Sequence, residues 1–459
     1  MKRILMLSLL AGLVLGACQK KTENPTPNPP GGGTTPPTMA DKVKDTALLY
    51  ARDIYLWYNQ IPTSLNARSY ADPGKIMEAI RPYSKEPGFT NPVDRWSFGV
   101  LKSEWDNVSG GVAADLGMGI FFRTNTDLRV TNVEPDGVAG KAGVERSWRI
   151  IKINGNSTIN TSDASINFIV DAIYGGKTAT IEFTKPDGTQ KELTLTPVSY
   201  QEQPLALDTV YENSGKKVGY MVLNSFLGNQ TQIKSAFANT FQEFNGKGIT
   251  DLIVDLRYNG GGYVSLWEEL ANYLVPAASN GKVMYTESFN TKYSDWDTSV
   301  FFVKKGNLNL QKIVFIISQN TASASEGLIN CMRPHTTVKI VGPSASNGKP
   351  VGYFAIPVGT WYVFPVSFRT VNSANQGGYF DGFIPESQVP DGLDKPWGDL
   401  TEDCLASAMK YLTTGAFRVS GNEALRTNTE FMESYKRLPL KKMKVLVEDR
   451  VNYAERMKQ

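Results

Sequence analysis

Ile313-Val314-Phe315-Ile316-Ile317 leads through Ser318 into Gln319-Asn320-Thr321-Ala322-Ser323-Ala324-Ser325-Glu326-Gly327-Leu328. Five consecutive apolar residues, most of them β-branched, read as a strand buried on both faces. Residues Gly327 to Met332 behind the turn read as a helix. A small-residue serine turn at this junction suits a nucleophile. The strand fixes the serine's position, and the helix N-terminus offers free N–H groups and a positive dipole end. The same residues also form a helix cap, because Glu326 stands three places after Ser323 in a capping-box pattern. The turn by itself leaves both readings open.

Buried strands recur around it. Val218 to Leu223, Leu252 to Leu256 and Val338 to Val341 alternate with helical stretches. In Gln230 to Phe244 the residues Ile233, Phe237, Phe241 and Phe244 make one apolar face. Such alternation predicts an α/β domain with a largely parallel sheet, spanning residues 200–415. Sites in these sheets lie beyond the carboxyl ends of strands. One further turn there is Asp255-Leu256-Arg257-Tyr258-Asn259-Gly260-Gly261-Gly262. Its three glycines let backbone N–H groups converge on an oxyanion, while Asp255 and Arg257 tie the loop down. Another runs from Gly342 to Gly352 and contains Lys349. A lysine in an apolar pocket loses its proton near neutral pH and then activates a serine without histidine.

The composition restricts the chemistry. The 459 residues are 41% hydrophobic and 20% charged, with a net charge of +3. Length and balance describe a soluble chain of several domains, with nothing that selects nucleic acid as a partner. Three cysteines (Cys18, Cys331 and Cys404) and one histidine, His335, exclude a disulfide framework and a Cys/His zinc site. No metal or other cofactor is expected. A Ser-His-Asp triad would have to use His335, which reads as structural, and Cys331 and Cys404 read as core thiols.

The remainder divides by composition. Residues 1–18 carry Lys2 and Arg3, a short apolar run and Leu15-Gly16-Ala17-Cys18, a signal-peptide pattern. Residues 19–38 are a Pro/Gly/Thr-rich tether. Residues 39–109 read as a small helical domain, with Asp45 to Tyr58 as one helix and a second starting at Asp72-Pro73. Residues 110–199 turn to short strands with Gly and Asn turns and a helix near Ser162 to Tyr174. There Leu116-Gly117-Met118-Gly119 precedes an apolar strand whose N–H groups would face outward to receive a peptide carboxylate. Residues 416–459 are mixed and basic, and read as a solvated extension with some helix.

Asp255 to Gly262, Thr321 to Glu326 and Gly348-Lys349, in that order after the 110–199 segment, resemble the carboxyl-terminal processing proteases of peptidase family S41. The order of segments in residues 110–199 resembles a protease-associated PDZ domain, and residues 39–109 resemble the helical domain that precedes the protease in some bacterial members. Leu15 to Cys18 resembles a bacterial lipobox, with Cys18 the acylated residue. The resemblance implies a multidomain α/β serine endopeptidase with Ser323 as nucleophile and Lys349 as base. It implies oxyanion donors at Ala324 and at Gly261 or Gly262, with Glu326 in support. It further implies protein or peptide substrates, a lipid anchor in a bacterial envelope at the outer membrane, and homo-oligomers. The competing expectation is a catalytically inactive scaffold of the same fold. Three departures accompany the likeness. The serine–lysine spacing is one residue longer, which leaves Ser325 as an alternative nucleophile. Tyr353 stands where the family often has a lysine-orienting glutamine, with its hydroxyl as the substitute. Arg146-Ser147-Trp148-Arg149 replaces a Pro-Gly-Asp turn.

Overall fold

The computed structural model describes residues 36–418 and 444–458. The signal-peptide and lipidation readings at residues 1–18 lie outside the described residues, as does most of the tether.

Helix α1 (Met39–Ile54) begins earlier than its apolar pattern and stops four residues sooner, giving way to a short 3-10 turn at Tyr58–Gln60. Helix α2 (Pro73–Ile80) starts where the sequence places it: Asp72 accepts the Lys75 N–H at 2.9 Å, and Pro73 occupies the first turn. The buried faces of both helices join an aromatic core that includes Tyr353, Phe354 and Phe364. Strand Phe98–Leu101 then pairs antiparallel with Trp361–Phe364. The helical segment is therefore packed into the rest of the fold rather than standing apart.

The next unit is a five-stranded antiparallel sheet with strands in sequence order: β1 (Met118–Thr124), β2 (Asp127–Val133), β3 (Arg149–Ile153), β4 (Ala179–Thr184) and β5 (Gln190–Leu195). Helix α3 (Asp163–Tyr174) is capped by Ser162 and covers the core through Ile166, Ile169 and Ile173. Strand β1 lies at the sheet edge.

The largest unit is a six-stranded sheet. In chain order it contains β6 (Leu205–Asn213), β7 (Lys216–Leu223), β8 (Asp251–Asp255), β10 (Lys312–Ile316), β11 (Thr337–Gly342) and β13 (Ser387–Gln388). Short strands β9 (Gly261–Tyr263) and β12 (Val351–Gly352) lie outside it. The spatial order is β13-β11-β10-β8-β7-β6, parallel except for the antiparallel β6 edge. One face is covered by α4 (Gln230–Lys247), α5 (Val264–Leu274) and α6 (Ala324–Met332), with Ile233, Phe237, Phe241 and Phe244 buried as their spacing predicts. Helix α7 (Asp403–Thr414) covers the other face through Leu405, Ala408 and Leu412. Both layers are dry, which accounts for the unbroken apolar runs in β8 and β10.

Val445 to Glu448 depart from the reading of a solvated extension, whereas a short helix at Tyr453–Arg456 matches its expectation of some helix. Strand β14 (Val445–Val447) is buried at every position and pairs parallel with β9. Among the described residues no helix is long and apolar enough to cross a membrane.

Candidate active site

Strand β10 delivers the serine turn at its carboxyl end. Helix α6 starts at Ala324, three residues before the predicted start, so the turn itself supplies the first helical residues. Ser323 stands just ahead with φ 63° and ψ −112°. A non-glycine residue in this region costs on the order of 1–3 kcal/mol and persists only where its surroundings hold it. The N–H of Ala324, at the first position of the helix, has no intrahelical acceptor.

The loop after β11 carries Lys349 to this turn. Its Nζ lies 3.1 Å from Ser323 Oγ and donates to the Val351 carbonyl at 2.7 Å. Neither Lys349 nor Ser323 has any exposed surface. Burial holds the amine well below the ordinary lysine range, and the carboxylates of Asp94 and Glu326 pull it only partly back. Ser325, the alternative nucleophile, uses its hydroxyl to bond the Asn259 carbonyl at 3.1 Å. The Lys349 amine bonds Ser323 and the Val351 carbonyl, and Ser325 is not among its partners.

Glu326 fastens the two loops together. Its Oε2 accepts the N–H groups of Ser323 and Lys349, both at 2.8 Å, and its Oε1 accepts Gly348 N–H at 2.7 Å and Ser346 Oγ at 2.5 Å. Burial raises this carboxyl, and the four donors oppose that rise. The capping-box glutamate is thus also the clamp that sets the serine–lysine distance.

Tyr353 does not orient the lysine through its hydroxyl, which donates instead to the carbonyls of Trp96 (3.2 Å) and Lys444 (3.3 Å). It presents its ring, whose centre is 4.0 Å from Lys349 Nζ. The Val351 carbonyl takes the orienting bond. Trp96 closes the pocket from the helical segment and is fixed by its Nε1–H bond to Asn347 Oδ1 at 2.9 Å. The neighbouring Asp94 is buried and accepts from Tyr55, Ser97 and the Trp96 N–H.

The glycine turn lies against the serine turn. A β-carbon on Gly261 (φ 101°) would stand 3.0 Å from Ala324 N and 2.2 Å from the Val445 carbonyl oxygen. On Gly262 (φ 151°) it would stand 2.1 Å from the Phe226 carbonyl carbon. Only glycine lets these backbones meet. Gly261 donates its N–H to Asn259 Oδ1 at 2.9 Å, and Gly262 is held in the β9–β14 ladder.

Residues 217–370 match the model of peptidase family S41, and residues 43–98 match that of the peptidase S41 N-terminal domain. Both segments are therefore similar to peptidase family S41. It is 26% identical over 262 residues to the carboxy-terminal processing protease CtpB of Bacillus subtilis, covering 55% of this chain and 49% of that protein. It is 26% identical over 251 residues to a carboxyl-terminal-processing protease of Picosynechococcus, covering 53% and 57%. The chain thus spans about half the length of these relatives. A solved structure from Bacteroides fragilis NCTC 9343, named as an S41 protease, shares the fold with TM-score 0.65 at 20% identity, covering 80% of this chain and 97% of that one.

Beneath the glycine turn lies a buried ionic network. Arg257 binds Asp255 (2.7 Å), Asp391 (2.8 Å) and Glu402 (2.9 Å). Burial alone would raise Glu402, but Arg257 outweighs it and holds the carboxyl at about 2. Arg146 reaches Asp391 at 2.9 Å and Tyr258 Oη at 2.9 Å, and lies over the Trp397 ring. The replacement of the Pro-Gly-Asp turn was the one sequence signal of this crossing. The outward N–H groups expected at Leu116 to Gly119 are largely spoken for. Gly117 N–H donates to Asp115 Oδ1 at 2.8 Å, Met118 is buried, and at the adjoining Ile120 the N–H donates to Tyr174 Oη at 3.2 Å. His335 lies away from the site, bonded to Ser279 Oγ and the Val283 carbonyl. Cys331 and Cys404 are buried free thiols.

Proposed function

We propose that this chain is a serine endopeptidase that works through a Ser323–Lys349 dyad on extracytoplasmic protein or peptide substrates. The observation that carries the reading is a fully buried amine 3.1 Å from the hydroxyl of a serine in a strained conformation. Neutral Lys349 takes the Ser323 proton as Oγ attacks the peptide carbonyl. The Ala324 N–H stabilises the oxyanion, joined by Gly261 once its N–H leaves Asn259 Oδ1 or by Gly262 once β14 withdraws from its ladder, and the lysine ammonium then protonates the leaving amine. Water releases the acyl group by the same proton path in reverse. Glu326 positions both partners without touching substrate.

In this reading the 110–199 unit is PDZ-like and takes substrate C-terminal segments along the β1 edge. The Tyr174 hydroxyl must then leave the Ile120 N–H when a peptide strand arrives. Acylation of Cys18 places the enzyme on a bacterial envelope membrane. The test is hydrolysis of an unfolded protein substrate by the full chain and by Lys349→Ala. Turnover by the native chain and none by the variant supports the dyad; equal turnover by both rejects it. A second reading, a peptide-binding scaffold without turnover, draws on the solvent-inaccessible Ser323. It requires that neither chain hydrolyse the substrate at any pH.

A further inference from the structure

The serine of the dyad has no exposed surface, so a substrate reaches it only after something moves. The segment beside it is β14. On one side β14 pairs parallel with the glycine turn, in register Gly261–Val445, Gly262–Leu446 and Tyr263–Val447, with Val445 N–H donating to the Gly260 carbonyl at 2.9 Å. On the other side it pairs with the chain just after Lys349: Tyr353 N–H donates to the Leu446 carbonyl, and Glu448 N–H to the Tyr353 carbonyl, both at 2.9 Å. This three-residue strand therefore fills a slot between the oxyanion turn and the lysine strand. The Val445 carbonyl lies on the side of Gly261 that faces Ala324 N. That is how an extended peptide held for cleavage would lie, hydrogen-bonded by main chain on both edges.

Resting on the peptidase reading, we propose that residues 444–448 are an internal strap that occupies the substrate-strand slot in the resting enzyme, and that an extended aliphatic peptide segment displaces it. Val445 and Val447 pack into the aromatic core shared with the helical segment, and Leu446 packs into the core under α5 and α6. The slot therefore accepts aliphatic side chains on both of its faces. The segment directly beyond the strand is polar and overloaded with one sign of charge, and only further on does Tyr453 return to the aromatic core. Arg450 alone meets Glu268 (2.7 Å), Glu287 (2.8 Å) and Glu448. Asp449 accepts from Ser265 N–H at 3.0 Å and from the Ser265 hydroxyl. Three carboxylates around one guanidinium hold the strap in register while leaving like-charge repulsion that eases its release. A permanent wall would favour a longer strand and an apolar anchor.

The test pins the strap in the full chain with Tyr263→Cys/Val447→Cys, whose positions are register partners. Adjacent strands lie ~4.8 Å apart, within disulfide reach. Phosphonylation of Ser323 by a small fluorophosphonate, with loss of fluoride, should fall at least tenfold in the oxidised form and recover on reduction. Equal phosphonylation in both forms overturns the strap. If neither form reacts, the dyad reading fails, and hydrogen exchange of the native chain decides the strap separately. Amides of 445–448 exchanging at least tenfold faster than those of β8 and β10 support it; protection equal to those strands overturns it.

Discussion

Replacing Glu326 by glutamine tests the clamp between the two catalytic loops with almost no change of shape. All four partners of the carboxylate are donors, so the amide group must turn its NH2 toward two of them. The less damaging choice is the Oε1 side, where the Ser346 hydroxyl can rotate and accept. Gly348 N–H is then left buried without an acceptor, which costs about 1–3 kcal/mol. The bonds from Ser323 and Lys349 N–H fall from charge-assisted to neutral, a loss of about 1 kcal/mol each. Relief of the buried charge offsets part of this, leaving roughly 2–4 kcal/mol of destabilisation. Melting should drop by about 5–15 °C. The catalytic effect should exceed what stability alone explains, because a misplacement of ~1 Å between reacting groups costs on the order of 100-fold in rate. The assay pairs thermal unfolding with the rate of fluorophosphonate labelling of Ser323, read well below the variant's melting temperature. A Glu326→Gln chain that melts and labels like the native one would refute the clamp.

Four other outcomes follow from named contacts. Because burial lowers the Lys349 pKa, labelling of Ser323 should be lost as pH falls through a midpoint well below the ~10.4 of a free lysine; a midpoint near 10 would contradict the buried base. The same depression means that the unfolded chain binds the proton first. Native stability is therefore full above ~10.4 and lost as pH falls through the folded pKa, and chemical denaturation of Lys349→Met should show this loss removed. Arg146→Gln removes one of the two guanidiniums on the buried Asp391, which keeps Arg257, and should cost about 1–3 kcal/mol in chemical denaturation; unchanged stability would contradict the crossing. Tyr353→Phe keeps the ring against the amine and should label within about threefold of native, whereas Tyr353→Leu removes that contact, worth about 1–2 kcal/mol, and should shift the pH midpoint of labelling.

The serine turn, the glycine turn and the lysine loop were legible because each is a local pattern at a strand end, where small residues and glycines have few other uses. The helix face of α4 was legible for the same reason. Glu326 was visible as a cap but not as a clamp, since three of its four donors, Ser346, Gly348 and Lys349, come from a distant loop. The pocket behind the lysine escaped entirely: Trp96 meets Tyr353 across 257 residues of chain, and no spacing rule links them. The tyrosine in place of glutamine pointed to a hydroxyl, whereas folding uses the ring and gives the orienting bond to a backbone carbonyl. Residues 444–458 misled because Lys444, Glu448 and Arg450 look solvated, while the three apolar residues among them are too few to announce a strand. Their burial depends on the slot built by β9 and Tyr353.

The most direct measurement is the site of covalent modification when the full chain is treated with a fluorophosphonate and mapped by mass spectrometry. The account predicts one adduct, on Ser323, retained in Ser325→Ala and abolished in Lys349→Met. An adduct on Ser325, or a Ser323 adduct formed equally fast without Lys349, would contradict it.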